Sequence, residues 1–161
     1  YFNAEIAELH KANVRIRVIG NKADFAGDIA QLLLRAETLT KDNDGLTLCV
    51  ALSYGGRQEI VASARDLAAK VASGEIQVED IDERLMARGL ETSDLPDPDL
   101  IIRTSGEQRL SNFLLWQAAY AELYFDPVLW PDYTAENLEK AVAAFNGRER
   151  RFGGLKATTA R

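Results

Sequence analysis

Apolar positions along this chain switch between a helical period near 3.6 and a strand period of 2, and Gly, Asn or Pro marks the switches. Phe2, Ile6 and Leu9 recur at helical spacing, and Asn13 can end that helix. No cap or turn precedes Phe2, so the chain is expected to start inside a helix, with sequence missing upstream. Residues 14–19 (V-R-I-R-V-I) alternate as a strand closed by Gly20, with Arg15 and Arg17 together on a solvated or interface face. A helix from Asp24 is predicted to bury Phe25, Ile29, Leu32, Leu33 and Ala36, and K-D-N-D-G at 41–45 is a turn. That turn lacks the spacing of a calcium loop. Residues 46–52 (L-T-L-C-V-A-L) are apolar enough for a central strand, and Tyr54-Gly55-Gly56-Arg57 leads into a helix stopped by Gly74. Ile60, Val61, Ala64, Leu67, Ala68 and Val71 are its expected core face. An acidic helix over 78–88, ended by Gly89, and a polar loop over 91–98 follow. Thr134 can cap a last helix with Leu138, Ala141, Val142 and Phe145 on its face.

Between these lies the stretch with the densest chemistry. Leu100, Ile101 and Ile102 form a short apolar run, as in a strand buried on both faces. Arg103 ends it, Thr104-Ser105-Gly106 turn, and Glu107, Gln108 and Arg109 follow. Ser111 stands at an N-cap position before a segment that is apolar nearly all round, from Phe113 to Ala121. Two arginines flanking a Ser/Gly loop between a strand end and a helix start describe an anion site. Ligands bind outside the carboxyl ends of parallel strands, helix N-termini offer free N–H groups, and guanidinium forks match phosphate oxygens. The alternative is that both arginines pair with Asp99, Glu107 and other surface acids. Glu122, beside Leu123, Tyr124 and Phe125, needs a partner: an arginine or a hard cation.

Composition narrows the picture. The chain has 161 residues, 47% hydrophobic, enough for one domain with a sizeable core. Strands alternating with helices predict an α/β fold, with a mainly parallel central sheet flanked by helices, as a single domain over 1–154 with a tail over 155–161. No apolar run approaches the roughly 18 residues needed to cross a bilayer. A net charge of −6 and a pI near 4.9 argue against a nucleic-acid partner. The single Cys49 excludes an internal disulfide and fits a reducing compartment, here the cytoplasm, and the single His10 cannot build a histidine metal site.

The run R-T-S-G-E-Q-R-L-S-N-F-L-L-W-Q-A-A-Y-A-E-L-Y-F, followed by L-W-P-D, closely resembles the signature of the undecaprenyl diphosphate synthase (cis-prenyltransferase) family. Ser53-Tyr54-Gly55-Gly56-Arg57 resembles the family's Asn-Tyr-Gly-Gly-Arg segment with Ser in the Asn place, and Arg151-Phe152-Gly153 resembles its C-terminal Arg-x-Gly motif. The resemblance implies condensation of isopentenyl diphosphate onto an allylic diphosphate such as farnesyl diphosphate. The product is a long-chain polyprenyl diphosphate of the undecaprenyl type, the lipid-carrier precursor for cell-wall synthesis. By the same resemblance, Arg103, Arg109 and Ser111, with the Leu110 backbone, hold the diphosphate of isopentenyl diphosphate, and Glu122 is the Mg2+-linked glutamate. Arg151 and Gly153 would reach the partner subunit's site in a homodimer. Product release would involve transient contact with a membrane surface. The family's Asp-Gly-Asn-Gly-Arg-Trp motif, which carries the catalytic aspartate, and its Ser-x-Glu-Asn-Trp-x-Arg-Pro motif are absent from these residues. The expectation is therefore the C-terminal part of a synthase, holding the isopentenyl half-site without its catalytic aspartate. The alternative is a non-catalytic dimerising subunit that lends its Arg-x-Gly motif to a partner.

Overall fold

The structure is a computed structural model that describes residues 2–148, and the expected Arg151 and Gly153 lie outside them. The chain forms two compact units, residues 1–94 and 95–161.

The first unit holds α1 (Phe2–Lys11), β1 (Arg15–Ile19), α2 (Gly27–Thr40), β2 (Thr47–Ala51), α3 (Gly56–Ser73) and α4 (Glu83–Arg88). β1 and β2 pair in parallel, from Arg15 opposite Thr47 to Ile19 opposite Ala51. Ile16 and Val18 of β1 pack with Ile6 of α1 and with Leu33 and Ala36 of α2 to form the core. Asn13, at φ 59°, turns the chain out of α1 as expected, since Asn tolerates the left-handed region.

The outer edge of β1 is closed by side chains. Ile16 N–H donates to Thr40 Oγ1 (2.9 Å), Val18 N–H to Glu37 Oε1 (2.8 Å) and Gly20 N–H to Glu91 Oε2 (2.5 Å). The N–H groups that a further strand would take are thus satisfied, and the edge is covered rather than left as a template for pairing. Gly20 itself sits at φ 99°, where a Cβ would lie 2.1 Å from the Leu52 carbonyl oxygen.

Several expectations need correction. The helix expected from Asp24 begins at Gly27, because Asn21 caps a separate 3-10 turn over Lys22–Asp24. Ile29, expected on its core face, is exposed. The helix expected over 78–88 is broken, since Asp82 accepts from Leu85 N–H (2.6 Å) and starts α4 anew. β2 pairs only with β1 among the described residues, and Leu48 stays 40% exposed. The buried stripe of α3 runs through Glu59, Ser63 and Leu67, leaving Val61, Ala64 and Ala68 open. Leu67 is buried and Ile60 and Val71 are half-buried as expected, but two of the buried positions are polar and hydrogen-bonded, so hydrophobic periodicity catches only part of the face. Arg17 pairs with Asp94, giving that face a specific partner.

The second unit holds β3 (Leu100–Arg103), β4 (Glu122–Phe125) and α5 (Ala135–Asn146). β3 and β4 are again parallel, with Leu100 opposite Glu122 and Arg103 opposite Phe125. All four β3 residues are half-buried, short of the two-faced burial expected. Thr134 and Asn137 form a reciprocal cap at the start of α5, which buries Ala141 while Leu138 and Val142 remain open.

Candidate functional site

Two clefts lie at the carboxyl ends of the two strand pairs, where open α/β sheets bind ligands. In the second unit a cleft of about 250 Å³ is lined by Ile101, Ile102, Arg103, Arg109, Leu110, Phe113 and Phe125. It therefore gathers three of the residues expected for the diphosphate, two cationic, beside two aromatic rings. Arg103 is half-buried and its guanidinium has no hydrogen-bond or ion-pair partner among the described residues. Arg109 is 63% exposed at its side chain and pairs with Glu107 at 2.5 Å. For Arg109 the surface-pair alternative is thus realised; for Arg103 it is not.

The segment after the loop departs from expectation. Ser111 caps no α-helix. Ser111, Asn112 and Leu114 take φ values of 50°, 65° and 45°, and only a 3-10 turn forms, over Gln117–Tyr120. Left-handed residues cannot propagate a right-handed helix. The helix-dipole contribution to the anion site therefore drops out, and Ser111 lies outside the residues lining the cleft. Ser105 at φ 68° and Gly106 at φ 69° also occupy the left-handed region. Backbone held in sparsely populated regions concentrates at functional sites, where surrounding bonds keep it in place.

Glu122 opens β4 and takes Arg148 Nη1 on Oε2 at 2.8 Å; the same Nη1 donates to Leu123 O at 2.9 Å. The arginine alternative is what this structure contains. Its source is Arg148, two residues past the end of α5. No group of three His, Cys, Asp or Glu that could hold a metal ion occurs among the described residues. This donor set does not fit a resident Mg2+ ion. It offers one carboxylate, which suits only an ion whose remaining ligands are substrate oxygens and water.

In the first unit a larger cleft of about 470 Å³ is lined by Asn21, Asp24, Ser53, Tyr54, Gly55, Gln58, Glu59, Ala62 and Glu91. Its three carboxylates make it a poor seat for phosphate. Glu59 is 4% exposed, accepts from the Tyr54 hydroxyl and takes Glu91 N–H at 3.1 Å. Ser53, at φ 49°, donates to Asp24.

One residue beside the cationic cleft escaped the sequence reading. Asp126, 6% exposed, follows β4 and organises the turn facing the Arg103 loop. Its only sequence signal is the Asp-Pro pair at 126–127, a turn former. Local burial, and after it the Asp126 charge, raises the pKa of Tyr133, whose hydroxyl is buried without a partner among the described residues.

The undecaprenyl diphosphate synthase family model matches residues 1–153. Isoprenyl transferase 2 of Bradyrhizobium diazoefficiens is 53% identical over 160 residues, covering 99% of this chain and 64% of that protein. A farnesyl-diphosphate-specific ditrans,polycis-undecaprenyl-diphosphate synthase of Aliivibrio fischeri is 51% identical over 149 residues, covering 92% and 58%. The solved structure of lavandulyl diphosphate synthase from Lavandula x intermedia, in complex with dimethylallyl diphosphate, superposes with a TM-score of 0.91 at 39% identity, covering 94% and 66%. The chain thus spans about three-fifths of the length of the curated relatives it matches.

Proposed function

The chain belongs to the undecaprenyl diphosphate synthase family, and from that premise we propose that it carries the isopentenyl diphosphate half-site of a cis-prenyltransferase. The observation that carries the proposal is the cleft with Arg103 and Arg109 at the carboxyl end of β3. Arg103 is already desolvated in part and unpartnered among the described residues, so it can offer a charge-assisted fork to diphosphate oxygens. Arg109 can turn its guanidinium to the same ligand once Glu107 yields it. Leu110 supplies a wall, and Ser111 stands one residue further along the loop. Ile101, Ile102, Phe113 and Phe125 give the cleft an apolar interior of a size suited to a five-carbon tail.

In the whole enzyme an allylic diphosphate, with farnesyl diphosphate as the proposed starter, would lose its diphosphate. The double bond of isopentenyl diphosphate would attack the freed carbon and then shed a proton. Arg103 and Arg109 would fix the attacking substrate by its charged end. Mg2+ arriving on a diphosphate would supply further charge neutralisation, and Glu122, at the opposite end of β4 from the Arg103 pairing, would meet such an ion only on release from Arg148. A homodimer in which Arg151 and Gly153 complete the partner's site belongs to the same proposal, as does a cytoplasmic location. No helix among the described residues is long and apolar enough to cross a membrane.

The test is condensation of radiolabelled isopentenyl diphosphate with farnesyl diphosphate and Mg2+, on this chain and on a chain extended upstream. Elongated products from either form support the synthase. Absence of product from both would favour the non-catalytic subunit, which the intact Arg-Thr-Ser-Gly-Glu-Gln-Arg loop argues against.

A further inference from the structure

The loop between the two cleft arginines does not hold itself in place. Ser105 is a non-glycine residue in the left-handed region, and Gly106 continues there. For a residue with a side chain such backbone is strained and persists only where its surroundings fix it. What fixes it is the turn after β4. Ser105 N–H donates to Val128 O (2.8 Å) and Gly106 N–H to Asp126 O (2.9 Å), while Asp126 N–H donates to Arg103 O (2.8 Å). That facing turn is in turn closed by one side chain: Asp126 Oδ1 accepts from Val128 N–H at 2.9 Å, across Pro127. This is an Asx turn, with proline limiting the chain between its ends.

We infer that Asp126 is the positioning residue of the cationic cleft: its carboxylate closes the 126–128 turn, and that turn clamps the Arg103–Gly106 backbone. The inference rests on reading the cleft as a diphosphate site. Asp126 acts through hydrogen-bond geometry. Two consequences follow that a purely electrostatic or purely structural role would not share. An asparagine side chain keeps an amide oxygen for Val128 N–H, so Asp126→Asn should preserve the clamp. An alanine side chain cannot accept that bond, so Asp126→Ala should loosen the loop.

The experiment is calorimetric titration of this chain with inorganic diphosphate, alongside hydrogen–deuterium exchange of the segment 103–106. Asp126→Ala should weaken binding roughly fivefold or more, the equivalent of a lost side-chain-to-backbone cap, with unchanged circular dichroism and faster exchange at Ser105 and Gly106. Asp126→Asn should bind within about twofold of wild type, and Asp126→Ser, a weaker acceptor, should fall between. If Asp126→Ala does not fold, the Asn and Ser variants decide: Ser weaker than Asn supports the clamp, and equality overturns it. Binding by Asp126→Asn that is tighter than wild type, or as weak as by Asp126→Ala, would overturn it in favour of a charge effect. If wild type and Arg103→Ala both ignore diphosphate, the diphosphate reading fails. The exchange data then judge the clamp alone, which falls if Asp126→Ala leaves segment 103–106 as protected as before.

Discussion

Arg103 and Arg109 share a cleft but not a state. Arg103 is half-buried and unpartnered among the described residues, whereas Arg109 is exposed and engaged by Glu107. An exposed pair is worth only about 0.2–1 kcal/mol, which an incoming diphosphate must offset before Arg109 can help. Arg103→Ala should therefore weaken diphosphate binding by about 1.5–3 kcal/mol, and Arg109→Ala by less, as titration calorimetry of both variants would read. Glu107→Gln should tighten binding modestly by releasing Arg109, and the gain should shrink as salt rises. Gly20 carries a different constraint. Its positive φ and the 2.1 Å approach of Leu52 O leave no room for a methyl group. Gly20→Ala should cost at least about 2 kcal/mol in urea unfolding. At this scale the shared cleft of the two arginines was legible from their neighbours in sequence, as were the two alternatives for Glu122, of which the arginine is present. Asp126 was not, because a single Asp beside a Pro looks like any surface turn until the opposing loop is in view.

Among the elements, β1 depends on α2 through two side chains, those of Thr40 and Glu37. Thr40 is fully buried, donating to Ala36 O (2.8 Å) and accepting from Ile16 N–H (2.9 Å). Thr40→Val keeps the shape and strands that N–H, so it should destabilise the fold by about 1–3 kcal/mol. Equal unfolding midpoints for variant and wild type would show that the strand edge finds another partner. Asp82 makes the six-residue α4 a separate helix, and Asp82→Ala should cost about 1 kcal/mol, measured the same way. The strands and long helices were legible because their periods are strong. Failures came where local chemistry overrode the period. Residues 111–116 are mostly apolar yet carry three left-handed positions, and α3 turns Glu59 and Ser63 inward because both find hydrogen-bond partners.

For the whole molecule, a net charge of −6 accompanies a cationic cleft. On the proposed reading, affinity for a dianionic or trianionic ligand would be local, carried by Arg103 and Arg109 against the general field. Family membership was legible from one run of more than twenty residues, while the fold could be inferred only as alternating strands and helices with parallel pairing. The parallel pairing is observed in both units. The central claim is that the cleft at the end of β3 holds the diphosphate of isopentenyl diphosphate. The most direct test is calorimetric titration of this chain with isopentenyl diphosphate, beside Arg103→Ala. Saturable one-site binding, weakened at least tenfold by Arg103→Ala (about 1.4 kcal/mol or more), is the predicted result. Binding that is absent, or identical in the two proteins, would contradict the account.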